Sequence, residues 1–381
     1  MLSLVICAIR DMANPIVKRL APLLVFTALL VGLPMLGAGL AGQPVSRYLE
    51  FPPANRYVQH APFSWWAFAL FGTSGLLVGA GLVLLYFPRR KGSSGIAARH
   101  PFPWWGWLSG IALVCLWALA WERFKWFEAV QILTFTPLWI AYLVFVNALT
   151  YWRTGNCLLT RRTRYLVALF PVSSLFWWSF EYLNSFAQNW YYVGQELFTP
   201  LSYTVLSTIA YSTVLPAVMS TVGLLQSFSG LLRPRFQRPF VLGNRKTYAG
   251  VVLALAACGL VGIAAWPNYC YPLLWVSPLL ILVSLQVLLS EENLVEKLEQ
   301  GYWYVVTLPA LAGLFCGFFW EMWNQYSYPK WGYSIPYVQG FRIFEMPVLG
   351  YLGYLPFGLE CFVIAGLVAR CLRTPEIEYY L

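Results

Sequence analysis

Long apolar runs separated by short polar connectors recur along the whole chain. They fall near residues 20–42, 64–86, 104–121, 136–152, 165–182, 201–226, 248–266, 272–290, 302–320 and 347–370. One membrane crossing takes about 20 apolar residues, so each run predicts a transmembrane helix whose ends are fixed only to within several residues. The expected fold is an all-α, polytopic transmembrane bundle of about ten helices. Pro62, Pro137, Pro200, Pro272 and Pro347 stand at the starts of the even-numbered runs, where a missing amide hydrogen costs nothing and the fixed φ suits the first turn. That spacing groups the helices into five repeated helical hairpins.

Composition removes the soluble alternatives. Of 381 residues, 59% are hydrophobic and 10% charged, against roughly 45–50% and about 25% in an ordinary soluble domain. Lys and Arg outnumber Asp and Glu by 25 to 15, an excess that in a membrane protein marks cytoplasmic loops; no nucleic-acid partner is expected. With the N-terminus inside, Arg47, Arg56, Arg123, Lys125, Lys330 and Arg342 are the basic residues left on the outer side. The positive-inside rule therefore predicts N-in and C-in, and a multi-pass protein of the bacterial plasma (inner) membrane.

The same charges divide the chain. Residues 1–19 form a cytoplasmic lead-in, with Met12 an alternative start; 20–100 the first hairpin and a basic loop; 101–226 two hairpins; 227–247 a second basic loop; 248–300 a hairpin with a shortened outer loop; and 301–381 the last hairpin and a short tail. Gly37-Ala-Gly-Leu-Ala-Gly42 resembles a signal-peptidase site, but the first run reads as a signal anchor. Ser290–Gln300 is expected to continue the eighth helix into the cytoplasm as a solvated acidic face, and Gly75, Gly79 and Gly81 to permit close packing of the second helix.

Several mechanisms lose their parts. His60 and His100 are the only histidines, both in polar loops, which argues against buried haem, a histidine metal centre or a histidine relay. The eight cysteines have no ligand spacing and read mostly as small buried hydrophobes. Nucleotide, dinucleotide, zinc-protease and nucleophile-elbow motifs are missing, so no cofactor or metal is expected.

One pattern is repeated. Between the fifth and sixth runs the chain reads Glu181-Tyr-Leu-Asn184, Trp190-Tyr-Tyr192 and Phe198-Thr-Pro200; between the ninth and tenth, Glu321-Met-Trp-Asn324, Trp331-Gly-Tyr333 and Phe344-Glu-Met-Pro347. Glu122, Trp126-Phe127 and Phe135-Thr-Pro137 make a weaker third copy. Spacing of i,i+3 puts acid and amide on one helix face, within reach of the indole and phenol that follow. A carboxylate at membrane depth is costly and faces protein or water. Three roles are open: locking the outer loops, binding a ligand, or handling ions and protons. Glu181, Glu321 and Glu345 are the candidate acids; Asn184, Trp190, Tyr192, Asn324, Trp331 and Tyr333 are the candidate ligand-binding residues. Aromatic density in these two loops suits either an interface belt or a wall against lipid, polyisoprenoid, quinone or pigment.

The span Trp331-Gly-Tyr333 through Gly340-Phe-Arg-Ile343 to Pro347 resembles the short repeated domain of the heterodimer-type lycopene cyclases. That family follows its proline with a paired acid, which the resemblance would place at Leu349-Gly350; this chain has none there, so no catalytic role carries over. Phe135-Thr-Pro-Leu-Trp-Ile-Ala-Tyr142 and Phe344-Glu-Met-Pro-Val-Leu-Gly-Tyr-Leu-Gly-Tyr354 are similar to an uncharacterised family of bacterial polytopic proteins, which implies no function.

The sequence thus points first to a membrane binding or scaffold protein. Its outer aromatic and carboxylate face would hold a membrane lipid or isoprenoid-type ligand, or dock other membrane subunits. The alternative is an enzyme doing acid–base or transfer chemistry on an isoprenoid or lipid, since burial beside tryptophan is how a carboxylic acid becomes a general acid near neutral pH. A transporter is less favoured, because acids at mid-membrane depth are nearly missing.

Overall fold

A computed structural model describes residues 15–86, 100–232 and 243–373. The lead-in up to residue 14, residues 87–99, most of the second basic loop (233–242) and the tail from residue 374 lie outside the described residues. The long helices are α1 (Pro15–Leu40), α2 (Trp65–Tyr86), α3 (Trp104–Trp121), α4 (Phe135–Thr154), α5 (Thr163–Ala187), α6 (Pro200–Tyr211), α7 (Val214–Gln226), α8 (Arg245–Ala265), α9 (Leu273–Leu289), α10 (Tyr304–Asn324) and α11 (Tyr354–Cys371). Among the described residues nine spans are long and apolar enough to cross a membrane, α6 and α7 counting as one, and α9 is a shorter apolar helix of 17 residues. By length and hydropathy this is a multi-pass helical membrane protein.

The sixth run is broken at Ser212-Thr213. Pro216 has no amide hydrogen to give to the helix, and α5 repairs the gap. Ser173 Oγ donates to the Tyr211 carbonyl (2.6 Å) and accepts from the Leu215 amide (3.0 Å), while Ser174 Oγ donates to the Thr208 carbonyl (2.7 Å). Backbone groups freed at membrane depth need such side-chain partners. α7 then packs against α4, α5, α10 and α11 and forms the middle of the bundle.

α10 and α11 meet at glycines. A Cβ on Gly313 would land on the Tyr354 carbonyl and the Gly358 backbone, and one on Gly358 would land on the Pro309 carbonyl. Only hydrogen fits between these backbones, and the close approach brings the two helices together. The glycines of α2 behave otherwise than expected. Gly79 and Gly81 face open space, a Cβ on Gly75 would meet the Leu352 side chain, and no residue of the span is buried.

Further expectations are corrected. The eighth run stops at Leu289, because Ser290 adopts a left-handed φ of 58° and Asn293 caps a separate short helix, Leu294–Glu299. Its acids are paired, Glu292 with Lys297 (3.0 Å), Glu291 with Arg370 (3.9 Å), and Glu296 and Glu299 with Arg245. Of the helix-start prolines, Pro200 alone occupies the first helical position; Pro272 is an N-cap, and Pro347 lies in a strand ahead of a 3-10 turn, Val348–Gly353. Cys157, Cys316 and Cys361 are buried, whereas Cys115, Cys258 and Cys371 are exposed on the bundle surface.

The loops at one end of the bundle hold the only strands among the described residues. β1 (Trp190–Val193) pairs antiparallel with β2 (Lys330–Tyr333), and β3 (Arg342–Ile343) with β4 (Met346–Pro347). The β1–β2 register sets Trp190 opposite Tyr333 and Tyr192 opposite Trp331. Side chains two apart share a strand face, so each Trp-x-Tyr presents both rings to the same side.

Candidate functional site

The two Glu-x-x-Asn segments end α5 and α10 and build the same joint. Asn184 Nδ2 donates to the Trp190 carbonyl (2.8 Å), and its Oδ1 accepts from the amides of Asn189 (2.7 Å) and Trp190 (3.3 Å). Asn324 does likewise with Trp331, donating to its carbonyl (2.7 Å) and accepting from its amide (2.9 Å). Each asparagine thus turns the chain from helix end into strand and satisfies the backbone there.

The carboxylates come next. Glu181 is fully buried. Its Oε1 accepts from the Trp177 indole (2.8 Å), the Trp190 indole (3.2 Å) and the Tyr192 hydroxyl (2.6 Å), and its Oε2 from Asn55 Nδ2. Tyr211 completes the chain with a 3.1 Å contact to the Tyr192 hydroxyl. Glu321 is equally buried; its Oε1 accepts from Tyr333 (2.6 Å), Tyr354 (2.6 Å) and the Trp331 indole (3.4 Å). Its Oε2 has no partner. Burial, and after it the adjoining carboxylate, pushes the Tyr192 and Tyr333 hydroxyls well above the usual tyrosine range. Both therefore stay protonated and keep donating.

Four loops at this end of the bundle are tied into one cap. Gln188 Nε2 donates to the Ala54 carbonyl (2.9 Å) and its Oε1 accepts from the Arg56 amide (2.7 Å). His60 reaches Asn268 Oδ1 (2.9 Å) and the Gln188 carbonyl (3.2 Å), and the Ser334 amide donates to the Asn189 carbonyl (2.8 Å). On the opposite flank, Arg123 donates to the Tyr326 carbonyl (2.6 Å) and the Trp121 indole to the Trp323 carbonyl (3.1 Å).

A cavity of about 370 Å³ lies against this ribbon, with fifteen aromatic residues in its wall. Trp190, Tyr192, Asn324, Trp331 and Tyr333 line it. Glu181, Glu321 and Asn184 stand outside the lining, with the carboxylates held by rings that do line it. Glu345 joins neither carboxylate and is ion-paired with Lys330. The third copy builds no such joint: Trp126 is 75% exposed, and Glu122 offers its backbone carbonyl to Gln131 (2.9 Å). No group of three or more metal-ligating side chains occurs among the described residues.

Asn55, Tyr211 and Tyr354 belong to the site and escape a sequence reading. Asn55 lies in a loop without the motif, and each tyrosine lies in a helix where it resembles any membrane aromatic. The two-residue alternation of Trp-x-Tyr was the available signal for strands. Comparison with family models, with curated proteins and with solved structures finds no match.

Proposed function

We propose that this chain is a multi-pass binding or scaffold protein of the bacterial plasma membrane that holds a lipidic, isoprenoid-type ligand in the outer aromatic cavity. The observation that carries the reading is the convergence of both Trp-x-Tyr strands on one cavity, with the buried carboxylates spent on holding the rings of its wall. A cleft of this size and lining suits a small apolar ligand held by a few polar groups. The charge asymmetry of the loops supports an N-in, C-in orientation with the cavity on the outer side. The matched contacts of the two motifs support an origin of at least these hairpins in duplication. Detergent-extracted protein should carry a stoichiometric small apolar molecule in native mass spectrometry. A functional chain that is consistently bare would overturn the reading.

A second reading is acid–base chemistry on such a lipid, favoured by the unpartnered Oε2 of Glu321. Here Glu321→Gln abolishes turnover of a lipid substrate with folding intact. Unchanged lipid and carotenoid profiles on deleting the gene would count against it.

A further inference from the structure

Resting on the cavity reading above, we propose that the ligand is a single-chain amphiphile that enters from the bilayer. Its polar head lies at the Lys330 end of the β1–β2 ribbon, and its chain leaves sideways between α2 and the Val348–Gly353 turn. The lining divides by polarity. Gln195, Tyr328 and Lys330 line one end, where a Cβ on Gly194 would meet Tyr328 and Pro329. Tyr328 is exposed, so the cavity opens here among polar groups, the Lys330–Glu345 ion pair included. Phe71 and Ser74 of α2, Tyr271 and Trp275, and Leu349 and Leu352 of the turn line the other end. Ser74 is exposed as well, and it spends its hydroxyl proton on the Phe71 carbonyl of its own helix (2.7 Å). That mouth therefore offers a ligand mainly apolar contact.

Lining rings connect the two mouths. Phe71 meets Tyr271 with ring centroids 6.3 Å apart, and Trp275, four residues on, meets Trp190 at 5.3 Å. Trp190 stands opposite Tyr333 in the ribbon, and Lys330 lies three residues back along β2, about 10 Å at the rise of a strand. The mouths are thus well separated, and an extended chain reaches from one to the other.

Depth decides which mouth takes the chain. Trp65 and Trp66 begin α2 and are exposed, as indoles at a membrane interface are. Ser74 follows Trp65 by nine residues, about 13 Å along a helix and close to the middle of a hydrocarbon layer of about 30 Å. An apolar opening at that depth meets lipid tails, and a chain threaded through it leaves no apolar surface in water. A polar head placed there would lose its water without gaining partners. At the Lys330 end it keeps hydrogen-bonding groups around it. α2 touches the bundle mainly at the turn, so a chain passing beside it displaces little packed protein.

The test uses the full chain in lipid nanodiscs with two photoreactive analogues of geranylgeraniol, one carrying a diazirine beside the hydroxyl and one at the far end of the chain. Cross-linked peptides are mapped by mass spectrometry, and α3, which contributes nothing to the lining, gives the background from bulk lipid. The head-proximal label should attach around Tyr328–Trp331, and the tail label around Ser74 and the Val348–Gly353 turn. Excess unlabelled alcohol should compete both away. The reverse pattern, or both labels at one end, overturns the orientation and leaves the cavity reading standing. If neither label exceeds the α3 background at any cavity residue, the cavity reading itself fails. Ser74→Trp puts a ring in the side mouth at an exposed position and should lower cross-linking at the Lys330 end about fivefold, equivalent to roughly 1 kcal/mol of occupancy at low ligand. Leu77→Trp, the same ring on an exposed residue outside the lining, should leave it unchanged. Equal labelling in the two variants overturns the side mouth.

Discussion

At the scale of single residues, Glu181 and Glu321 serve as fasteners for the aromatic wall. Glu181 collects donors from its own helix, from β1 and from the loop after α1, so removing it takes one acceptor from two indoles, a phenol and an amide together. Glu181→Ala should lower stability by about 3–5 kcal/mol, the scale of breaking a buried charged network, measured by denaturant unfolding in detergent. Glu321→Ala, which frees three donors from one oxygen, should cost less. Equal costs would mean that Asn55 contributes nothing. The two motifs were legible in the sequence because acid, amide, indole and phenol recur in the same order. Asn55 was not, since a lone loop asparagine becomes a ligand of the carboxylate only when the loop folds back across α5.

At the scale of elements, the apolar runs marked the helices because membrane thickness dictates their length. The break in the sixth run was hidden, as its repair comes from Ser173 in another helix. Ser173→Ala should leave the Tyr211 carbonyl and the Leu215 amide without that partner and cost about 1–3 kcal/mol, seen as a lower unfolding midpoint; Ser173→Thr should retain most of it. The α10–α11 contact makes a harder demand. Gly358→Val would force the backbones apart at Pro309 and move Tyr354 relative to Glu321. Loss of both folded yield and ligand retention is expected, checked by size-exclusion profile and native mass spectrometry. The pairing of β1 with β2 was illegible for a different reason: four residues make no stable strand alone, and each partner lies far along the chain.

At the scale of the whole molecule, the loops on one face interlock while α2 stands almost free, touching mainly the turn at Val348–Gly353. Nothing in its sequence separates a lipid-bathed helix from a packed one, because both are apolar all round. Orientation can be checked directly. A cysteine introduced at Arg56 should react with a membrane-impermeant maleimide in intact cells, and one at Glu296 only after permeabilisation; the reverse pattern would put the cavity on the cytoplasmic side.

The pairing of β1 with β2 also orders events during synthesis. When α5 has been inserted and Trp190 has emerged, the strand that will face it is still untranslated, and four further apolar spans separate the two. Glu181 can gather Trp177, Trp190, Tyr192 and Asn55 early, from chain already made. Glu321, Tyr333 and Tyr354 arrive only at the end. The cavity is therefore completed by the last hairpin, and a nascent chain halted before Lys330 would leave its first aromatic strand unpaired until its partner is made.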